Sequence, residues 1–182
     1  CFLTFGSNSK ENIDQLVKVC GELFNSTYAI YSRIENGMLS VFGSWNVPEH
    51  AVLSVQPEGY ISTKVIDEKS DNVRIFRNLK NSSYATTNPI VLKYGIETYI
   101  GKSVKFGKDN AGSLCVLFEN DYSPSKNEIH LLEIIASAIG VEEERMEVQR
   151  VLEVSEEKYR TMIEHSNDWI WMLDKKGCFT FI

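Results

Sequence analysis

Apolar residues recur at helical spacing near the start of the chain and then give way to strand-like runs. After Asn8, which stands three residues before Glu11 as a cap would, the apolar positions that share a helical face are Ile13, Leu16, Val17, Cys20, Leu23 and Phe24. Residues 28–34 and 38–45 are β-like and flank Asn36-Gly37, a pair that tolerates the positive φ of a tight turn. The pattern predicts an amphipathic helix followed by a β-hairpin.

The next part of the chain is interrupted by turn-forming residues. Residues 46–88 contain Pro48, Pro57 and Gly59, and their apolar positions predict only a short helix over 60–67 and a short strand over 73–76. Two longer strands follow over 98–106 and 113–119 and predict a second hairpin. The expected fold class is α+β, with an antiparallel sheet flanked by N- and C-terminal helices.

A long helix is predicted from Ser125 onward, because Ser125 and Glu128 have the spacing of a capping box. Apolar residues recur along it in alternating steps of three and four, as in a coiled-coil seam. The seam positions predicted for a dimer are Leu131, Ile134, Ala138, Val141, Val148, Leu152 and Tyr159. For residues 131–138, the alternative is that the helix packs on its own domain. Beyond Val141 most of the other positions are charged, which favours pairing of this helix with the same helix of a second chain. A helix break at Ser155 is also compatible with the pattern.

The last residues predict a second, separate hairpin. Residues 169–173 and 178–182 are strand-like and are separated by a turn over 174–177. A two-stranded hairpin alone is marginally stable in water. We therefore expect these strands to belong to a sheet that continues past residue 182 in a longer protein.

Composition narrows the classes of function. The 182 residues are 43% hydrophobic and 24% charged, as in a soluble globular protein, and the formal net charge of -6 argues against binding to a phosphate backbone. We find no apolar run long enough to span a membrane. The four cysteines have no metal-ligand spacing; Cys20 and Cys115 are predicted core thiols, which suits a reducing cytoplasm.

The order of these elements, together with local motifs over residues 8–145, resembles a GAF domain, a small-molecule-sensing module of signalling proteins. The residues that carry the resemblance are Gly59, Val65, Asn78-Leu79, Asn88-Pro89, Tyr94-Gly95-Ile96, Tyr99-Ile100-Gly101, the run from Gly112 to Val116, Tyr122-Ser123, Glu128, Leu131 and Leu132. The chain departs from the family pattern at Asn78, where Asp is frequent, and at Lys102-Ser103, where Pro is usual after the glycine.

The end of the chain is similar to the start of a PAS domain. Its matching residues are Tyr159-Arg160, His165-Ser166, Asp168, Ile170, Asp174, Gly177 and Phe179. The two resemblances imply a GAF domain over residues 1–140, a connecting signalling helix over 141–158 and a truncated PAS hairpin over 159–182. This is the layout of sensor histidine kinases and of related cyclic-dinucleotide enzymes.

The resemblance also says which ligands to expect. Residues 60–88 contain neither Cys nor His, so a covalent bilin is not expected, and the catalytic cysteines of free methionine sulfoxide reductases are missing from the same region. The Asn-Lys-Phe-Asp-Glu signature of cyclic-nucleotide binders is absent as well. The three histidines, His50, His130 and His165, form no ligand-like pair, and haem is not favoured. The cofactor is unknown.

What remains is a small molecule bound without a covalent bond. In the family the pocket lies between one sheet face and the irregular region, and the candidate ligand-binding residues there are Trp45, Tyr60, Phe76, Tyr84, Tyr99 and Ser103. The implied function is regulatory, with no catalytic residues and no membrane contact in these residues: a cytoplasmic sensory and dimerisation segment of a sensor histidine kinase. The alternatives are a ligand-free dimerisation module, the regulatory part of a cyclic-dinucleotide enzyme, and a methionine sulfoxide reductase dependent on Cys115.

Overall fold

A computed structural model describes residues 6–48, 54–68, 71–107, 109–164, 172–173 and 179–181. The helices are α1 (Ser9–Phe24), α2 (Ile61–Asp67), α3 (Tyr84–Thr87), α4 (Pro89–Tyr94) and α5 (Lys126–Glu164). The strands are β1 (Tyr28–Glu35), β2 (Met38–Trp45), β3 (Ser54–Val55), β4 (Arg74–Phe76), β5 (Thr98–Phe106), β6 (Asp109–Phe118), β7 (Met172–Leu173) and β8 (Phe179–Phe181). The predicted α+β class is confirmed.

Local capping signals fix the helix boundaries. The Asn8 side chain accepts hydrogen bonds from the backbone N–H groups of Lys10 and Glu11, so it caps α1 as predicted. The backbone N–H of Ser125 donates to the Glu128 carboxylate at 2.7 Å, and the backbone N–H of Glu128 donates to the Ser125 hydroxyl at 3.3 Å. This reciprocal capping box starts α5 at the predicted place.

Six strands form one antiparallel sheet in the order β3-β2-β1-β6-β5-β4. Both predicted hairpins are present, and the second has the shorter loop because β6 begins at Asp109 rather than Ser113. Helix α1 and the first part of α5 cover one face of the sheet. The side chains of Ala29 and Tyr31 of β1 lie on that face. The opposite face carries Ile30 and faces α2, α3 and α4.

A β-bulge in β2 changes which residues share a face. Tyr31 is paired with Gly43 and Ser32 with Val41, so Phe42 is the extra residue. Without the bulge, Val41 and Trp45 would point to the same side, because side chains alternate with a period of two. With it, Val41 lies on the face of α2 and α4, whereas Trp45 lies on the face of α1.

Close backbone approach explains why Gly112 is a glycine. An added Cβ would lie 2.4 Å from the carbonyl oxygen of Ser32 and 2.7 Å from the Tyr31 ring.

At Asn78 the backbone is left-handed, with a φ of 55°, and the side chain accepts a hydrogen bond from Asn81 at 2.7 Å. Asn and Asp are the non-glycine residues that best tolerate this conformation, so the departure at Asn78 is compatible with the fold.

The first part of α5 is anchored to the sheet by apolar contacts and by one buried carboxylate. Leu132, Ile135 and Ile139 are buried. Glu143, only 8% exposed, accepts a hydrogen bond from the Tyr31 hydroxyl at 2.8 Å and pairs with the Arg33 guanidinium at 2.9 Å. Arg33 also pairs with Glu35. Burial and the adjacent Glu143 carboxylate raise the pKa of Tyr31, so its hydroxyl stays protonated and keeps donating.

The predicted seam lies beside this buried stripe rather than on it. Packing within residues 131–138 uses Leu132, Ile135 and Ala136, while Ile134 is 53% exposed. Farther along, Val141, Val148, Leu152 and Tyr159 are all exposed. The helix continues through Ser155 to Glu164 in one piece, so the break considered at Ser155 is not present.

The chain divides into two compact units, residues 1–144 and 145–182. In the second unit, Met172 pairs with Phe181 and Leu173 with Phe179 in an antiparallel arrangement. The rest of the predicted final hairpin lies outside the described residues. The PAS assignment and the boundaries at 140 and 158 therefore stay predictions.

Candidate functional site

A cavity of about 190 Å³ lies between the sheet and the elements that cover its α2 and α4 face. Strand β1 forms its floor through Ile30 and Ser32, and β6 through Cys115 and Leu117. Asn88 places the covering helix α4: its side chain accepts from the backbone N–H of Ile90 at 2.9 Å and caps the helix. The other apolar wall residues are Leu39, Val41, Val47, Pro48, Val55, Pro89 and Ile90.

Three tyrosines and a lysine supply the polar groups of one part of the wall. The rings of Tyr28 and Tyr94 meet edge to face with centroids 5.8 Å apart, and the Lys93 ammonium lies 5.2 Å from the Tyr94 ring centroid. The pKa of Tyr60 is raised, chiefly by burial and to a smaller extent by Tyr94, while Lys93 opposes the shift. Of the described residues that line the cavity, only Lys93 carries a charge.

A second polar group lies under the cavity. The Tyr99 hydroxyl donates to Ser62 at 3.3 Å and lies 3.1 Å from the Ser113 hydroxyl. Ser103, paired across the sheet with Ser113, is 4% exposed, and its hydroxyl oxygen has no hydrogen-bond partner within the described part of the chain. The Cys115 thiol joins the same network through Tyr99 and Ser62.

The six predicted ligand-binding residues do not all meet at the cavity. Tyr60 lines it. Tyr99 is buried beneath it, Phe76 packs edge to face on both Tyr99 and Tyr84, and Ser103 lies farther along β5. Trp45 lies on the opposite sheet face, where its indole covers Gly21 of α1 so closely that an added Cβ would clash with it.

Sequence reasoning missed five polar residues of the wall: Tyr28, Ser32, Ser62, Lys93 and Tyr94. Alternation along β1 would have placed Tyr28, Ile30 and Ser32 on one face once that face was known. Lys93 and Tyr94 end a six-residue helix that periodicity over so short a stretch does not reveal.

Both described cysteines are buried and protonated. Burial raises the pKa of Cys115 and of Cys20 to about 12. Because the thiolate is the reactive form, neither thiol is activated for nucleophilic chemistry. This agrees with their prediction as core residues.

These raised pKa values predict a loss of stability in alkali. A thiol whose folded pKa exceeds its unfolded value stabilises the fold fully below about pH 9, and that stabilisation is lost as the pH rises toward 12. Over this range each buried thiol lowers the free energy of unfolding by about 1.4 kcal/mol per pH unit. Urea denaturation at pH 8 and at pH 10 measures how far the free energy of unfolding falls between the two pH values. We expect this fall to be about 1.4 kcal/mol smaller in Cys115→Ala than in wild type. Equal falls in the two proteins would show that Cys115 does not titrate in this way.

Within the described residues no three metal-ligating side chains cluster, and no helix there is long and apolar enough to cross a membrane. His50 and His165 lie outside the described residues. His130 is on the surface of α5 and lies 3.5 Å from the Glu133 carboxylate.

Neither a protein-family model nor a curated protein sequence matches the chain. Solved structures do match its fold. The GAF domain of an Acinetobacter phosphoenolpyruvate-protein phosphotransferase aligns with a TM-score of 0.63 at 13% identity, over 74% of this chain and 81% of its own. A domain of a putative two-component sensor histidine kinase from Sinorhizobium meliloti aligns with a TM-score of 0.61 at 12% identity, over 79% and 96%. The chain has a GAF-like fold.

A third structure with this fold is an enzyme. The type II free methionine-R-sulfoxide reductase from Thermoplasma acidophilum aligns with a TM-score of 0.57 at 14% identity, over 74% of this chain and 94% of its own. The GAF-like fold is thus shared by sensor domains and by a reductase, so function must be argued from the cavity and not from the fold.

Proposed function

We propose that this chain is the sensory and dimerisation segment of a multidomain signal-transduction protein, a cytoplasmic sensor histidine kinase. A small molecule binds without a covalent bond in the cavity of the GAF-like domain, and α5 passes the signal to a PAS domain and to an output domain that follow it. The observation that carries the proposal is the cavity itself, whose apolar walls and few polar groups have the composition of a ligand site.

Strand β1 offers a direct route from the cavity to α5. Its residues Ile30 and Ser32 line the cavity on one face. The alternate residues Tyr31 and Arg33 hold Glu143 of α5 on the other. An occupant that shifts β1 by a fraction of an ångström changes the geometry of that anchor, and it shifts the helix equilibrium only if it binds one arrangement more tightly than the other.

The exposed seam on α5 supports the dimerisation part of the proposal. Val148, Leu152 and Tyr159 are each more than half exposed, and apolar side chains at this spacing are typical of a helix that pairs with a second one. A second copy of the chain supplies an identical helix.

The alternatives receive less support from the same observations. A ligand-free dimerisation module would fill its interior, whereas a cavity of about 190 Å³ remains here. A methionine sulfoxide reductase needs a reactive thiol, but burial raises the pKa of Cys115 to about 12. The regulatory part of a cyclic-dinucleotide enzyme uses the same cavity and helix and differs only in the output domain.

The proposal is tested by melting the chain in the presence of nucleotides, amino acids and aromatic acids. An occupant that binds the folded state raises the melting temperature, by an amount that grows with its concentration.

A further inference from the structure

We propose that the occupant of the cavity is a small monocarboxylate with an apolar body of about one aromatic ring, held by an ion pair with Lys93. This inference rests on the proposed function, since it specifies the chemistry of the same site. Three observations carry it: the volume of the cavity, the charge of its wall and the position of its polar groups.

The volume limits the size of the occupant. A cavity of about 150 Å³ in another protein holds benzene, so about 190 Å³ has room for one ring with a short substituent. Nucleotides and tetrapyrroles are drug-sized or larger and need pockets of roughly 300 Å³ or more. The part of the cavity formed by the described residues therefore fits a fragment-sized molecule.

The charge of the wall determines the sign of the occupant. Lys93 is the one charged group among the described lining residues, and it is exposed at the end of α4, where its ammonium can reach an anion without being desolvated first. A single cation balances a single negative charge. Phosphate dianions are usually bound by several cations, and the described wall has one.

The polar groups next to Lys93 fit a carboxylate. Tyr28, Tyr60 and Tyr94 line the same cavity as Lys93, and a phenol can donate to a carboxylate oxygen. Burial and then the Glu119 carboxylate raise the pKa of Tyr28, so its phenol stays protonated and can donate. Away from Lys93, the walls are formed by Ile30, Leu39, Val41, Val55, Ile90 and Leu117, which suit an apolar body.

The test compares phenylacetate with phenylacetamide, which has the same shape and no charge, by calorimetric titration of the whole chain. Phenylacetate is expected to bind wild type about 5- to 10-fold more tightly than the amide, as is typical of a charge-assisted hydrogen bond that is partly exposed to solvent. Lys93→Met should remove this preference by weakening phenylacetate about 5- to 10-fold while changing the amide by less than about twofold. Lys93→Arg should keep the preference for phenylacetate.

Lys64→Met is the matched control, because Lys64 is an exposed lysine on α2 whose ammonium bonds to Tyr84 outside the cavity. It should leave both affinities unchanged. Equal binding of the two probes to wild type, or equal weakening by Lys93→Met and Lys64→Met, overturns the carboxylate proposal and leaves the proposed function standing. If neither probe binds wild type, the carboxylate proposal is wrong, whereas the proposed function falls only if nucleotides and amino acids also leave the melting temperature unchanged.

Discussion

Replacing Glu143 with alanine should lower the free energy of unfolding by about 3 kcal/mol, because it leaves the Tyr31 hydroxyl and part of the Arg33 guanidinium buried without their acceptor. This value is at the lower end for a broken buried pair, since the Arg33 side chain is 18% exposed and keeps its contact with Glu35. Urea denaturation at pH 7 measures the change.

Two further variants locate the cause of the loss. Glu144→Ala removes a neighbouring carboxylate that is exposed, and it should change the unfolding free energy by no more than about 0.5 kcal/mol. Tyr31→Phe deletes one hydrogen bond and should cost about 1 to 1.5 kcal/mol. If Glu143→Ala costs no more than Glu144→Ala, then Glu143 does not anchor α5.

The double substitution Val148→Glu with Leu152→Glu should convert the chain from dimer to monomer. Both side chains are more than half exposed in the single chain, so the substitution leaves the fold of one copy intact. In a paired helix, each added carboxylate would be buried in an apolar seam at a cost of about 3 kcal/mol, which weakens the dimer more than 100-fold. Sedimentation velocity at high micromolar concentration measures the change.

The control adds the same charge elsewhere on the helix. Val154→Glu with Thr161→Glu places two carboxylates at exposed positions of α5 that lie outside the predicted seam and one heptad apart, and the dimer should persist. A wild-type chain that is monomeric at these concentrations would contradict the dimeric part of the proposal. A double variant at Val148 and Leu152 that remains dimeric would show that the contact lies elsewhere on the chain.

Local signals were sufficient to predict most elements of the fold. The Asn8 cap, the Asn36-Gly37 turn and the Ser125 capping box each act within four residues, and α1, the first hairpin and α5 begin where these signals place them. The strand order β3-β2-β1-β6-β5-β4 was not predicted, because it depends on pairings between strands that lie far apart in the sequence.

The candidate site was harder to predict because it depends on contacts between distant residues. Trp45 is a candidate ligand-binding residue on the basis of its amphipathic side chain and the family's pocket position, but the bulge at Phe42 turns it to the other face. Lys93 belongs to a helix of six residues that owes its position to the Asn88 cap and to packing under the sheet. In the same way, the charge pattern beyond Val141 does not distinguish Glu143 from its neighbours, because its partner Tyr31 lies 112 residues away.

The measurement that tests the central claim most directly is the melting of wild type and of Val41→Phe, with and without the compound that raises the wild-type melting temperature most. Val41 is half-buried on β2 and lines the cavity, so the larger phenylalanine side chain fills the space that an occupant would take. If the cavity is a ligand site, the compound stabilises wild type and leaves Val41→Phe unchanged. If Val41→Phe is more stable than wild type and no compound stabilises either protein, the cavity is only a packing defect and the sensory function is contradicted.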